Sequence, residues 1–203
     1  MKKIYDPCHL VGGMTAYEWE RDPKRLAFIL ARYKFVAKML EGKARVLEIG
    51  CADGFGSRIV RQSVGSLTAI DLDVASINEA KRGASENWPI EFVWANVCEA
   101  KYIGFDAVYA LDVLEHIHPT EEQEFLESLR VSAPLAIIGC PSLESQVYAS
   151  ALSKEGHVNC KNGHNFRETL RRHWGEVFVF GMNDETLHTG FDSMQHYRLA
   201  ICC

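Results

Sequence analysis

The chain has 203 residues, 47% of them apolar and 24% charged, with a formal net charge of −5. That profile suits one globular domain with a sizeable core. The acidic balance, without any run of Lys and Arg, argues against general nucleic-acid or anionic-membrane binding, and no window approaches the roughly 18 apolar residues of a membrane span. The opening MKKIYDPCHLVGG lacks the apolar stretch a secretory leader needs. Cys8, Cys51, Cys98, Cys140, Cys160, Cys202 and Cys203 are odd in number and contain no C-x-x-C pair. They fit neither a disulfide framework nor a zinc ribbon and read as reduced thiols of a cytoplasmic protein.

Residues 1–21 read as irregular. Asp22-Pro23 then supplies an N-cap with proline at the first helical position. Leu26, Ile29, Leu30, Tyr33, Val36, Ala37 and Leu40 follow at helical spacing as far as Gly42. ARVLEIG is the first predicted strand, GSRIVRQSV a helix ended by Gly65, and SLTAIDLD the second strand. VASINEAKRGASEN reads as a helix, EFVWAN as the third strand and FDAVYALD as the fourth. Thr120 and Gln123 form a capping box for the helix EEQEFLESLRVSA, and PLAIIGC is the fifth strand. Apolar strands alternating with amphipathic helices predict a parallel sheet covered on both faces.

The last third differs. A helix near 143–153, the polar loop KEGHVNCKNGHN and a helix to Trp174 precede two strands, EVFVFGM and HYRLAICC. No long helix separates them, so they pair antiparallel. The whole chain reads as one domain.

VLEIGCADGFGS, residues 46–57, is a strand running through a glycine-rich turn into a helix, the shape in which a ligand lies against bare backbone. The dinucleotide fingerprint needs glycine at relative positions 1, 3 and 6. From Gly50 those positions hold Gly50, Ala52 and Phe55. Gly50, Gly54 and Gly56 do match the turn of short-chain dehydrogenases, but the Tyr-x-x-x-Lys pair of those enzymes is absent.

The arrangement resembles the class I S-adenosylmethionine-dependent methyltransferases, whose acidic residue, apolar residue and G-x-G-x-G correspond to Glu48, Ile49, Gly50, Ala52 and Gly54. Ala52 stands for the middle glycine, which is expected to require a negative φ there. The family's acidic residue after the second strand corresponds to Asp71, where a carboxylate can accept both hydroxyls of a ribose. Its adenine contact after the third strand corresponds to Asn96. FDAVYALDVLEHIHP is similar to the family segment D-x-V-x-x-x-x-V-L-E-H, from Asp106 to His116. Each residue also has a plainer reading: the glycines as packing sites, Asp71 as a helix N-terminal charge, Asn96 as a turn residue.

The resemblance, which covers roughly residues 44–142, implies an α/β, Rossmann-like, seven-stranded mixed sheet, the last strand antiparallel, with a short N-terminal helical cap over 1–43. It implies S-adenosyl-L-methionine as cofactor, with S-adenosyl-L-homocysteine as product. Glu48, Gly50, Ala52, Gly54, Phe55, Asp71, Leu72, Asn96, Val97 and Leu111 are its expected cofactor contacts, and residues 143–203 form the substrate side. His157 resembles the His-x-Asn that many members carry after the fifth strand and is the first candidate for general base. His116 is the second, and Asp112 is placed to orient the acceptor or a histidine. The plainer readings are a loop histidine and a structural one. Asn183, Asp184 and His188, in GMNDETLHTGF, are either a wall of the acceptor pocket or a polar hairpin tip.

His116-x-His118 and Cys160-x3-His164 have ligand-type residues at plausible spacing. The Asp-Asn pair of metal-dependent catechol-type members is absent from GCPSLES, so no catalytic metal is expected. The expected activity is methylation of a polar small molecule, favoured at the oxygen of a saccharide or nucleotide sugar. The acceptor would be recognised by the first 40 residues, 143–165 and 182–192. N-methylation of a small amine, a non-catalytic cofactor-binding partner and a nicotinamide oxidoreductase are the alternatives. No nucleic-acid partner is expected, and oligomeric state is left open.

Overall fold

The first helix lies where no regular structure was expected. A computed structural model describes residues 11–203, and in it α1 (Gly13–Arg21) opens the fold. Its first-turn donors are satisfied by distant carboxylates. Gly13 N–H donates to Glu79 at 2.7 Å, and Thr15 donates its N–H to Asp53 Oδ2 at 2.8 Å and its hydroxyl to Oδ1 at 3.0 Å. Helix termini need such partners, and partners 66 and 38 residues away leave no trace in the local sequence. Cys8 and the first ten residues of the opening stretch, read as lacking a leader, lie outside the described residues. The six described cysteines are all free.

Helix α2 (Pro23–Met39) starts as expected, with the Asp22 side chain accepting Arg25 N–H, and the chain turns at Gly42, φ +81°. There follow β1 (Arg45–Ile49), α3 (Ser57–Arg61), β2 (Ser66–Asp71), α4 (Val74–Arg82), β3 (Glu91–Trp94) and β4 (Ala107–Leu111). After a 3-10 turn at Leu114–His116 come α5 (Glu122–Ser132) and β5 (Leu135–Pro141). Helices α3 and α4 are shorter than their apolar patterns suggested. The capping box does not form: Glu121 is the N-cap and makes no side-chain cap bond, while Thr120 Oγ1 pairs with His118 Nδ1 at 2.7 Å.

The helix expected near 143–153 is a 3-10 turn (Glu144–Tyr148) followed by α6 (Ala151–Gly156). Ala149 is extended between them, and Ser150 caps α6 by accepting Ser153 N–H. Then come α7 (Gly163–Arg171), β6 (Val177–Asn183), β7 (Thr186–His188), a 3-10 turn (Asp192–Met194) and β8 (Tyr197–Cys202).

Among the described residues the sheet has eight strands, in the order β3-β2-β1-β4-β5-β8-β6-β7, one more than the seven expected. The additional strand is β7, three residues long. It folds back on β6 through a tight turn whose first residue, Asp184, has φ +53°, the sign that matches hairpin twist. So short and polar a strand has no legible alternation. Strands β1 to β5 are parallel, and β8 lies antiparallel between β5 and β6. The chain winds outward from β1 to β3 and then outward again from β4, so the crevice opens where β1 and β4 meet.

Alternate strand residues point to opposite layers. Leu47, Ile49, Val108, Ala110 and Ile138 pack with α5 and α7, whereas Val46, Tyr109, Leu111, Ile137 and Leu199 pack with α2 and α3. Ala69 and Phe92 receive α4 through Ile77 and Ala80. Every residue of β4 is buried, so its carboxyl end is a fixed platform. Among the described residues no helix is long and apolar enough to cross a membrane.

Candidate active site

The turn after β1 is built on three left-handed residues: Gly50 (φ +75°), Ala52 (φ +48°) and Gly54 (φ +71°). A Cβ on Gly50 would collide with the Val113 side chain, and one on Gly54 would lie 2.6 Å from the Phe92 ring. Close packing therefore requires these glycines, whatever else they do. Ala52 corrects the expected negative φ. It carries the sterically unfavourable conformation, and Asp71 holds it there, accepting Ala52 N–H on Oδ2 at 2.8 Å.

Asp71 Oδ1 accepts Asp73 N–H at 2.8 Å, so each carboxylate oxygen spends one lone pair on backbone and keeps one for a ligand. Leu72, 63% exposed, offers an apolar plate beside it. Phe55 is half-buried, whereas Val97 and Leu111 are buried in the two core clusters. Asn96 is a turn residue: Oδ1 accepts Cys98 N–H and Nδ2 donates to Glu99, both at 3.0 Å. One lone pair on its carbonyl remains free.

Glu48 lies beneath the turn, 1% exposed. It faces the hydroxyls of Ser57, Tyr109 and Tyr33, yet neither carboxyl oxygen makes a hydrogen bond of normal geometry. Desolvation outweighs those hydroxyls and pushes its pKa up to about 7. Asp53, which the motif reading passed over, anchors α1 through Thr15.

At the end of β4, Asp112 has φ +56° and gives its N–H to Gly139 O at 2.9 Å and Tyr197 Oη at 3.2 Å. Arg32 Nη1 lies 2.8 Å from both carboxylate oxygens, and its guanidinium stacks 3.7 Å from the Tyr197 ring centroid. Asp112 is thus the counter-ion of a stacked arginine. Arg32 was not singled out in the sequence because it sits inside an ordinary amphipathic helix.

The two histidines come together, their ring centroids 5.1 Å apart and their planes at 72°. His116 Nδ1 donates to Gly156 O at 2.9 Å, and His157 Nδ1 donates to Gln146 Oε1 at 2.8 Å. Gln146 Nε2 in turn donates to Ser142 O at 3.1 Å, which fixes the amide orientation. Carbonyl oxygens only accept, so both Nδ1 atoms carry the proton and both Nε2 atoms present lone pairs. Burial, then the neighbouring His116, lowers the His157 pKa and favours the neutral ring.

Glu115 lies beside them, 1% exposed, with Oε1 4.0 Å from His116 Nε2 and Oε2 without a partner. Burial, with Asp112 nearby, raises its pKa well above the usual carboxyl range.

The loop carrying His157 is tied down by residues beyond the motif. Asn159 N–H donates to Glu115 O at 3.0 Å, and Asn159 Nδ2 and Lys161 Nζ both reach Glu122 Oε2 at 2.7 Å. Arg198, fully buried, donates to Gln195 Oε1, Lys161 O, Asp192 O and Glu144 Oε2 at 2.9–3.1 Å. It joins the substrate-side loops from beneath.

Asn183, Asp184 and His188 lie at the same end of the sheet but not with the histidine pair. Strand β6 is three steps from β4, roughly 14 Å at normal strand spacing. His188 Nε2 donates to Asn183 Oδ1 at 2.6 Å, His188 Nδ1 accepts Gly190 N–H, and Asn183 Nδ2 donates to Met194 O. The polar hairpin reading accounts for these bonds.

Residues 46–134 match the family described as "Methyltransferase domain". Uncharacterized methyltransferases of Mycobacterium bovis and Mycobacterium tuberculosis are 32% identical over 81 residues, 39% of this chain and 41% of theirs. The chain thus spans about two fifths of the curated relatives it matches. Among solved structures, the methyltransferase domain of a bacterial Hen1 superposes with TM-score 0.69 at 16% identity, covering 86% of this chain and 98% of that one. Magnesium protoporphyrin IX methyltransferase of Synechocystis PCC 6803, with S-adenosylmethionine bound, gives 0.64 at 16% identity, covering 96% and 86%.

Sheet order, glycine turn and strand-end carboxylate define a class I methyltransferase fold. The segment 46–134, which carries the glycine turn and Asp71, is similar in sequence to a methyltransferase domain.

Proposed function

We propose that the chain transfers a methyl group from S-adenosylmethionine to an oxygen of a polar small molecule. The observation that carries this reading is the pair of histidine Nε2 lone pairs beyond β4 and β5, in the crevice that begins at the Ala52–Asp71 turn. The cofactor fits the residues present. Asp71 keeps a lone pair on each oxygen for the ribose hydroxyls, Leu72 offers an apolar face to the base, and Asn96 keeps one carbonyl lone pair.

When bound, the sulfonium supplies a methyl carbon already activated toward a nucleophile. This chain's residues then have two tasks. The first is positioning, which can contribute on the order of 7–11 kcal/mol. Arg32, held rigid between Asp112 and Tyr197, is suited to orient a polar acceptor. The second is proton removal, worth roughly 10²–10⁴-fold, for which His157 Nε2 is neutral and available.

The saccharide reading draws support from the exposed side chains of the 143–194 region. Tyr148 is 84% exposed, and Phe191 and Met194 are also largely open. Aromatic faces of this kind stack on the C–H face of a sugar while its hydroxyls stay wet. The hairpin with Asn183, Asp184 and His188 then serves as an outer rim.

The experiment is thermal unfolding with S-adenosylhomocysteine, S-adenosylmethionine and NADH in separate samples, followed by methyl transfer to a panel of hydroxyl and amine acceptors. The two sulfur ligands should raise the midpoint, by about 2.7 kcal/mol of stabilisation at 100 times the dissociation constant, and Asp71→Ala should abolish the shift. A shift with NADH alone would replace this reading with an oxidoreductase. Cofactor binding without turnover on any acceptor would favour a non-catalytic partner. His157→Ala should lower turnover at least tenfold with cofactor affinity unchanged.

A further inference from the structure

We infer that Glu115, His116 and His157 form a binding site for a divalent transition-metal cation. One ligand atom from each of the three lies within 4.8 Å of the other two. Three ligands at about 2.0–2.2 Å from a shared cation stand at most roughly 3.8 Å from one another, so side-chain movements of about 1 Å close the triangle.

Four features of these residues suit a cation. Both imidazoles present Nε2, because each Nδ1–H is committed to a carbonyl oxygen, Gly156 O for His116 and Gln146 Oε1 for His157. Metal-bound histidines are oriented by this kind of outer partner. Second, Glu115 Oε2 is buried without a hydrogen-bond partner, and such a group calls for an explanation. A cation held by the carboxylate would balance the charge that burial leaves uncompensated there.

Third, the neighbouring carboxylate of Asp112 is occupied by Arg32, and the clustered ligand set is two nitrogens and one oxygen. That set suits Zn²⁺, Co²⁺, Mn²⁺ or Fe²⁺ and disfavours Mg²⁺ and Ca²⁺, which prefer all-oxygen shells. Fourth, the His116 side chain is 49% exposed, so three protein ligands would leave coordination positions open to the crevice, the pattern of catalytic rather than structural sites.

The expectation of no catalytic metal rested on an absent Asp-Asn pair after β5. This cluster is assembled differently, from the turn after β4 and the loop after α6.

The site deepens the proposed methyl transfer and rests on that reading only for its chemical role. The acceptor hydroxyl would coordinate an open position and lose its proton to water more readily. Its oxygen would then form the new O–C bond, while the S–C bond breaks with its electron pair remaining on sulfur. With the cation bound, His116 and His157 would act as ligands and the proton would leave to solvent; in the metal-free chain His157 Nε2 is open to take it.

The test uses the full chain, stripped of metal by chelator and dialysis. Titration with Co²⁺ is followed by visible absorption, and Mn²⁺, Zn²⁺ and Mg²⁺ are titrated calorimetrically. One equivalent of Co²⁺ should bind with ligand-field bands, and Mg²⁺ should bind at least tenfold more weakly than Mn²⁺. His116→Gln, His157→Gln and Glu115→Gln should each weaken Co²⁺ at least tenfold, with the unfolding midpoint measured for each to confirm folding. No stoichiometric binding, binding unchanged in folded His116→Gln and His157→Gln, or a preference for Mg²⁺ would overturn the inference. S-adenosylhomocysteine binding is read separately on the same samples. Its persistence without metal binding would remove the cation site alone, and its loss with metal binding intact would remove the methyltransferase reading alone.

Discussion

The carboxylate of Asp71 accepts the N–H of Ala52 at 2.8 Å and thereby holds an alanine at φ +48°. The second strand thus fixes the turn that follows the first, and the same carboxylate remains open to the crevice. A left-handed alanine costs about 1 kcal/mol or more, against a rise of about 0.5 kcal/mol in unfolded-chain entropy when glycine replaces it. Ala52→Gly should therefore be neutral or stabilising by a few tenths of a kcal/mol in urea unfolding. A loss greater than 1 kcal/mol would show that the alanine methyl makes a contact that outweighs the strain.

Glu48 predicts a pH dependence. Its folded pKa is raised to about 7 from an ordinary value of 4.5, so between those values the folded state holds a proton that the unfolded state has released. The stabilising contribution is complete below pH 4.5 and is lost as pH rises through 7. The difference amounts to something on the order of 3 kcal/mol. Glu48→Gln should flatten stability between pH 5 and 8, measured by urea midpoints at a series of pH values. An unaltered slope would mean that Glu48 is ionised in the fold.

Arg198 is the buried joint of the substrate side. Replacing it with Ala removes four hydrogen bonds at once, among them the ion pair with Glu144 and the bond accepted by the buried Gln195 Oε1. A destabilisation of about 3–5 kcal/mol is expected for breaking such a network. Because Glu144 neighbours Gln146, which orients His157, amide exchange in 142–148 should quicken more than exchange in β1. Uniform quickening would assign Arg198 to global stability alone.

Thr15 and Asp53 tie α1 to the glycine turn. Thr15→Val removes the hydroxyl donor and leaves the backbone bond, so about 1 kcal/mol should be lost. The loss should be confined to α1 and appear as faster limited proteolysis within 11–21. Unchanged cleavage would indicate that Gly13 and Glu79 suffice to hold the helix.

The parallel half of the sheet and its glycine turn are legible in the sequence because their determinants are local. The turn from Gly50 to Gly54 needs positive φ at fixed offsets, Asp71 must end a strand, and alternation of apolar strands with amphipathic helices permits one sheet type. The pairing of His116 with His157 is not local. It joins the turn after β4 to a loop some 40 residues later, and nothing in LEHIHP or GHVN shows that both rings gather beside Glu115. Arg32 at Asp112, Asp53 at Thr15 and Arg198 beneath the loops are of the same kind. Backbone propensity and hydrophobic period act over a few residues and write themselves into the sequence. The partners of buried polar groups are set by which segments the folded sheet brings side by side, and only the tertiary structure decides them.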